Sequence, residues 1–261
     1  MKQQAISLSV FVFFLTIFSR EASAQKMMML NEDLKANSQA LPVKIRGGSL
    51  MKYDFGIYKT ISAKAGWSSS KSSTKIFSGS EVTESKQKSN IEITANEKDT
   101  VTINIALNIK SVAVRDKVIS FSKDRVAWER EEDPSKYKEE RNLVAVITTS
   151  LDTTTWNYVQ VDMKNSENSQ ENINNAFLTD GNKRIDIKRV SKWDNGKSPT
   201  LYFTVGFEFY IDGVVVAAVQ NPLDTFQKKY VWIKSDSDEK TKLMIAAAAV
   251  ILLSFTNQVP A

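Results

Sequence analysis

Any chemistry in this chain has to run on carboxylates, lysines, arginines, hydroxyls and amides, because among its 261 residues there is neither histidine nor cysteine. That removes the imidazole-based triads, thiolate nucleophiles, imidazole metal ligands and zinc ribbons. The densest acidic cluster is Glu129, Glu131, Glu132 and Asp133 beside Trp128, and Trp156 or Trp193 offers a ring on which a sugar would stack. A carboxylate pair for glycoside hydrolysis needs two carboxyls about 5–10 Å apart, one with its pKa raised inside a pocket. Here Arg130, Lys136, Lys138 and Arg141 interleave with the acids. Mixed runs of this kind form solvated, self-neutralising faces. No catalytic residue is therefore assigned, and a carboxylate-pair glycoside hydrolase stands as the alternative reading.

Binding chemistry has a second candidate. Lys183-Arg184 and Lys188-Arg189 flank Ile185-Asp186-Ile187. On a strand that buries Ile185 and Ile187, Arg184 and Lys188 point outward together as contacts for phosphate or lipid headgroups. They are the weak ligand-binding candidates, and exterior charge for solubility explains them equally. The same holds for Lys64, Lys71 and Lys75 around the serine-rich stretch 67–74. Gly47-Gly48 stands alone and makes no phosphate-cradling loop, and Asp152, Asp162 and Asp194 lack calcium-loop spacing. Met27-Met28-Met29 resembles a copper string, but consecutive positions on a regular element do not converge on one metal. They read as a hydrophobic plug or an unstructured start. No metal site and no cofactor is expected.

The elements that would position these groups are mostly strands. Val101, Ile103, Ile105, Leu107 and Ile109 alternate with polar or small residues, and Leu201, Phe203, Val205, Phe207 and Phe209 repeat the pattern with bulkier side chains. Asp212-Gly213 marks a tight hairpin leading into a return strand over 214–219. Shorter strands are expected at 52–60, 74–77, 91–94, 117–122, 143–149, 156–163, 184–190 and 229–233. With no long helical crossover between them, the strands read as an antiparallel meander. Three stretches break the pattern: an exposed loop at 67–74, a charged run at 129–141 with a helix start at Asp133-Pro134, and a long loop or hairpin tip at 164–182.

The chain's beginning reads as an export signal. Lys2 precedes the apolar stretch Ala5–Phe18, and Ala22-Ser23-Ala24 before Gln25 forms a small-residue cleavage pattern. The organisation expected is a signal peptide over 1–24 cut between Ala24 and Gln25, an irregular lead-in over 25–42, and a single domain over 43–261. An exported chain without cysteine relies on the size of its core rather than on disulfides. The formal net charge is +5, spread through the sequence rather than gathered in a stripe, so no nucleic-acid partner is expected. The absence of N-glycosylation sequons fits a periplasmic or secreted protein.

The last segment says most about the fold. Asp236-Ser237-Asp238-Glu239 supplies caps and first-turn acids, and Leu243–Phe255 follows with Ser254 as its only polar residue. Such a helix is apolar around its whole circumference and needs enclosure on all sides. At about 1.5 Å per residue the apolar run spans about 20 Å, short of the ~30 Å hydrocarbon core, so no membrane anchor is expected in the mature chain. The stretch Phe203–Phe255, FTVGFEFYIDGVVVAAVQNPLDTFQKKYVWIKSDSDEKTKLMIAAAAVILLSF, resembles the end of the Tubby C-terminal, phospholipid scramblase and LURP-one-related superfamily. The resemblance lies in the hairpin with Asp212-Gly213, a strand like Tyr230–Ile233, the acidic cap and the apolar helix. It implies a barrel of twelve strands filled by that helix. This chain differs in carrying an export signal and in lacking a cysteine-rich acylation segment and an acidic calcium loop, so no activity is carried over from the family.

The fold expected is therefore mainly β, a closed or nearly closed antiparallel barrel of about 10–12 strands around a helix over 238–255. A β-sandwich with a packed C-terminal helix is the alternative. The function expected is a non-catalytic binding or envelope-associated module whose partner is a membrane surface, a lipid or an envelope protein. A purely structural envelope protein is the remaining alternative.

Overall fold

The computed structural model describes residues 26–48, 50–75, 80–122, 125–132, 136–165, 173–199, 204–222 and 227–255. The expected signal peptide, with Ala24 and Gln25 at its cleavage point, lies outside them, as does Phe203. The strands are β1 (Leu41–Pro42), β2 (Lys44–Arg46), β3 (Lys52–Phe55), β4 (Tyr58–Lys75), β5 (Ser80–Ala95), β6 (Asp99–Ser122) and β7 (Arg125–Glu132). They continue as β8 (Lys138–Thr149), β9 (Trp156–Asn165), β10 (Ile173–Thr179), β11 (Arg184–Val190), β12 (Gly206–Ile211), β13 (Val214–Gln220) and β14 (Tyr230–Ile233). Two helices accompany them, α1 (Glu32–Asn37) and α2 (Glu239–Phe255).

One antiparallel sheet contains all the strands, in the order β1-β14-β13-β12-β11-β10-β9-β8-β6-β5-β4-β3-β2, with β7 paired on the outer part of β6. The two ends of this path are neighbours in the chain. The extended segment 41–46 pairs with β14 through Leu41 and Pro42, and with β3 through Lys44, Ile45 and Arg46. Between them the Val43 amide donates to the Lys229 carbonyl at 3.0 Å. A single stretch of backbone thus bridges the seam, and the sheet becomes a nearly closed barrel instead of a two-layer sandwich.

The interior is set by the period of two. Ile91, Ile93, Val101, Ile103, Ile105, Leu143, Ala145, Ile147, Trp156 and Tyr158 turn inward, while alternate positions such as Asn104, Ala106 and Asn157 face out. These inward residues share one core with α2, in which every residue from Leu243 to Phe255 except Ser254 is buried. Because apolar residues cover all its faces, the helix is satisfied only when strands surround it. The alanines at 246–249 keep its middle thin, and Leu243, Ile245, Leu252 and Phe255 fill the lumen towards its ends. The hairpin between β12 and β13 turns at Asp212 and Gly213, with φ of +49° and +81°. Two residues at positive φ match the twist of paired strands, which is why the Asp-Gly dipeptide sits there.

Several expectations need correcting. The serine-rich stretch 67–74 is not a loop but the outer part of β4. Its ladder to β5 is reinforced by cross-strand side-chain hydrogen bonds, Ser70 Oγ to Ser85 Oγ at 3.1 Å and Ser72 Oγ to Glu81 Oε1 at 2.6 Å. Of the two readings of 164–182, the hairpin holds and the long loop does not: Ile173–Thr179 is β10, which returns antiparallel along β9. The charged run 129–141 is strand over 129–132 and 138–141, because β7 and β8 both find β6 as a partner, and the expected helix start at Asp133-Pro134 lies outside the described part.

Residues 26–42 are an ordered part of the domain. Asn31 caps α1 by accepting from the Asp33 amide at 2.9 Å, and Met28 and Leu34 are buried in a second core outside the barrel with Trp193, Val215 and Trp232. Val205 also belongs to that outer core and not to the lumen, since β12 begins its alternation only at Gly206. A Cβ at Gly206 would run into the Val219 carbonyl oxygen and the Met28 sulfur, so glycine is required where the lead-in crosses the sheet.

Removing residues 237–261 should leave insoluble or unfolded protein, because the lumen side of every long strand would open to water. Ala247→Trp should destabilise by about 3 kcal/mol or more through overpacking at the narrow waist. Urea midpoints and near-ultraviolet circular dichroism read both outcomes. A soluble, cooperatively folded truncation would show that the helix is dispensable.

Candidate functional site

The last carbonyls of a helix have no partner within it. In α2 they are met by side chains from the barrel wall. Asn221 Nδ2 donates to the Leu252 carbonyl at 2.9 Å, Tyr53 Oη to the Leu253 carbonyl at 2.8 Å, and the Arg141 guanidinium to the Phe255 carbonyl. The negative end of the helix dipole thus meets a cation that projects from β8 on the same face as Leu143. At the other end, Asp238 accepts from the Thr241 amide at 2.9 Å and the Thr241 hydroxyl at 2.6 Å, which holds its carboxyl below the usual range. Lys240 reaches Asp152 on the β8–β9 turn at 2.6 Å. This hydrogen bond lowers the Asp152 pKa.

Around the C-terminal end of α2 the barrel mouth is polar. Tyr158 Oη donates to Gln160 Oε1 at 2.6 Å, and Gln160 Nε2 donates to Asp162 Oδ2 at 2.7 Å. Asp162 Oδ1 accepts from Arg189 Nη2 at 2.9 Å and from the Asn174 amide group. Burial pushes the Asp162 carboxyl up, with Arg189, Gln160 and Arg141 pulling the other way. Burial also pulls the Arg141 guanidinium down and raises the Tyr158 phenol. Both oxygens of Asp162 are engaged, so this carboxyl braces the mouth and is not presented to a substrate. Sequence reading did not single out Arg141 and Asp162 as a pair. The available signal was parity: Arg141 shares the inward alternation of Leu143, Ala145 and Ile147.

The sequence candidates are distributed as follows. Ile185 and Ile187 are buried, and Arg184 and Lys188 do share the outer face of β11. Each lies over an aromatic ring, Arg184 3.9 Å from the Phe177 centroid and Lys188 4.4 Å from that of Tyr210. Arg184 is also paired with Asp186 at 2.7 Å. The side chains of Trp128, Glu129, Glu131, Glu132 and Asp133 lie outside the described part. Trp156 is buried in the lumen core and Trp193 in the outer core, so neither ring is open to a sugar.

Beyond the lumen, β4, β5 and β6 continue as a long arm. Core membership stops at Ala63 on β4 and Leu107 on β6, yet pairing runs on to Lys75↔Ser80 and Ser80↔Val114. β3 and β4 pair only through Asp54↔Lys59 and Phe55↔Tyr58, after which they separate. Side chains cap the parting backbones: Asp54 Oδ1 accepts from the Thr60 amide at 3.2 Å, Arg46 Nη2 donates to the Thr60 carbonyl at 2.8 Å, and Lys52 Nζ donates to the Ile61 carbonyl at 3.2 Å. On the arm, a cavity of about 260 Å³ is floored by Leu107 and Ile109 and walled by Ser68, Ser70, Ser85 and Gln87. A second, more open hollow of about 410 Å³ lies between the lead-in and β11, against Leu30, Asn31, Lys192 and Glu208.

Among the described residues no cluster of acidic side chains is arranged to hold a metal ion, and no helix is long and apolar enough to cross a membrane. Comparison of the chain with family models, with curated proteins and with solved structures finds no match.

Arg141→Met should cost about 2 kcal/mol in urea denaturation, since it leaves the Phe255 carbonyl at the buried helix terminus without its donor. Asp238→Ala should cost about 1 kcal/mol as a lost N-cap. The Asp238 pKa is lowered in the fold, so its contribution is full above the unfolded value of about 4 and fades as pH falls through the folded one. Asp162 has the opposite sign. Its raised pKa favours the fold below that unfolded value, and this advantage is lost as pH rises through the folded one, so wild type should lose stability relative to Asp162→Asn over that rise. A pH series of urea midpoints for wild type, Asp238→Ala and Asp162→Asn reads each sign separately.

Proposed function

We propose that the protein is an exported, non-catalytic binding module that holds an anionic partner or surface on the outside of its barrel. The observation that carries this reading is the filled lumen. The barrel's own helix occupies the space where other barrels hold a ligand, which leaves recognition to the exterior and the arm. Cations stand there over aromatic rings at Arg184–Phe177 and Lys188–Tyr210, an amphipathic pairing suited to anionic headgroups or acidic side chains. The positive net charge supports the same direction of attraction. Export is supported by Lys2, the apolar stretch Ala5–Phe18 and the Ala22-Ser23-Ala24 pattern. Membership of the Tubby-like superfamily is supported by a helix-filled antiparallel barrel whose final hairpin turns at Asp212-Gly213.

The test uses residues 25–261, purified and applied to lipid and glycan arrays and to vesicles with and without anionic lipid. Retention on anionic spots should weaken as ionic strength rises from about 0.05 to 0.5 M. Arg184→Ala with Lys188→Ala should reduce retention while leaving the thermal midpoint within a few degrees. Release of sugar from any glycan would replace this reading with the carboxylate-pair hydrolase. Salt-insensitive retention on neutral spots would remove the anionic partner.

A further inference from the structure

The geometry points to the free edge of β4 as a docking site for an extended acidic segment of a partner protein, added to the arm as one more strand. This rests on the reading of the protein as a binding module and names the class of partner. Three features of the arm converge on it. The first is backbone capacity. After Lys59 the β3 side of β4 is released, and from Ser62 to Lys75 its only strand partner among the described residues is β5. Every second residue along that stretch therefore directs its amide and carbonyl away from the sheet, a row of groups that an incoming strand would pair.

The second feature is charge. β4 carries Lys59, Lys64, Lys71 and Lys75 and no acidic residue over its whole length. Lys59 is paired with Glu97. Lys64 and Lys71 are exposed and have no ion-pair partner among the described residues. Lysines on an edge discourage like edges from pairing, so two copies of β4 repel each other while an acidic strand is drawn in.

The third feature is a place for side chains. A bulge between Ala65 and Ser68 puts Gly66 and Trp67 opposite Lys88 alone, and Trp67 stands 61% exposed beside it. Bulges re-aim side chains at functional edges, and an exposed tryptophan is a common anchor of protein interfaces. A strand laid along β4 would also send alternate side chains past Ser68 and Ser70 towards the cavity floored by Leu107 and Ile109. The favoured segment alternates acidic and large aliphatic residues.

The probe is a fluorescent peptide of four Glu-Val repeats, with a Lys-Val counterpart and a Glu-Val peptide methylated on every backbone nitrogen. Anisotropy with the intact chain should show saturable binding of the acidic peptide alone. Amide hydrogen exchange should become slower in residues 62–74 when that peptide is present. Lys64→Glu with Lys71→Glu should weaken binding by about tenfold or more and admit the Lys-Val peptide instead. Equal binding of the methylated peptide would reduce the interaction to charge alone and overturn strand addition. Protection of β4 that appears with protein concentration would assign the edge to a second copy, and protection already present in dilute protein would assign it to another part of this chain. Either result, or no binding of the acidic peptide, overturns the proposal. None of these outcomes bears on retention by anionic vesicles, so the broader reading stands or falls on its own test.

Discussion

A helix without a polar face has no stable position at a protein surface, and the rest of this molecule follows from enclosing one. Burying a Leu or Ile side chain contributes roughly 1.5–3 kcal/mol, and α2 carries such residues on every side. A flat sheet covers only one side of a helix. The strands therefore continue around it until the path of the sheet returns to its starting segment. Ala246–Ala249 permit close approach of the wall at mid-height, where larger side chains would hold the strands apart.

Enclosure also creates an electrostatic problem. The carbonyls at the end of α2 are shut away from water, and each one left unpaired would cost about 1–3 kcal/mol. Tyr53, Asn221 and Arg141 resolve this from three different strands or strand ends. Asp162 stands opposite Arg141 on β9, and with Arg189, Gln160 and Asn174 it forms a polar rim there. This polar network thus gathers around a helix terminus, and its groups are occupied by one another.

Closure of the barrel has its own consequence. Segment 41–46 divides its pairing between β14 and β3, and β3 in turn holds β4 for only two residue pairs. β4 then leaves the wall with Thr60 and Ile61 capped by Asp54, Arg46 and Lys52. An arm with a free edge along β4 is the geometric result of a barrel that closes before its longest strands end. With the lumen filled, the outer face and this arm are what the molecule presents to its surroundings.

Much of this was legible in the residues. The period of two in Val101–Leu107, the outward pairing of Arg184 with Lys188, the Asp212-Gly213 turn and the all-round apolar helix each follow from local pattern and proved to be where that pattern put them. Local pattern was silent or misleading where stability comes from a distant partner. The serine-rich half of β4 has little β propensity of its own and is a strand because β5 offers a ladder to it. Residues 26–42 look polar and irregular, yet Met28 and Leu34 are buried because β12–β14 expose a second apolar face for them to cover. Arg141 sits in a charged run typical of a surface, and although the alternation of β8 directs it inward, the helix terminus it meets at Phe255 lies more than a hundred residues away. The alternation of side chains and the need to enclose the helix were written locally. Which edges met, which strand outran the barrel and which charges were buried were decided when the sheet closed, because those contacts join residues that no sequence window contains together.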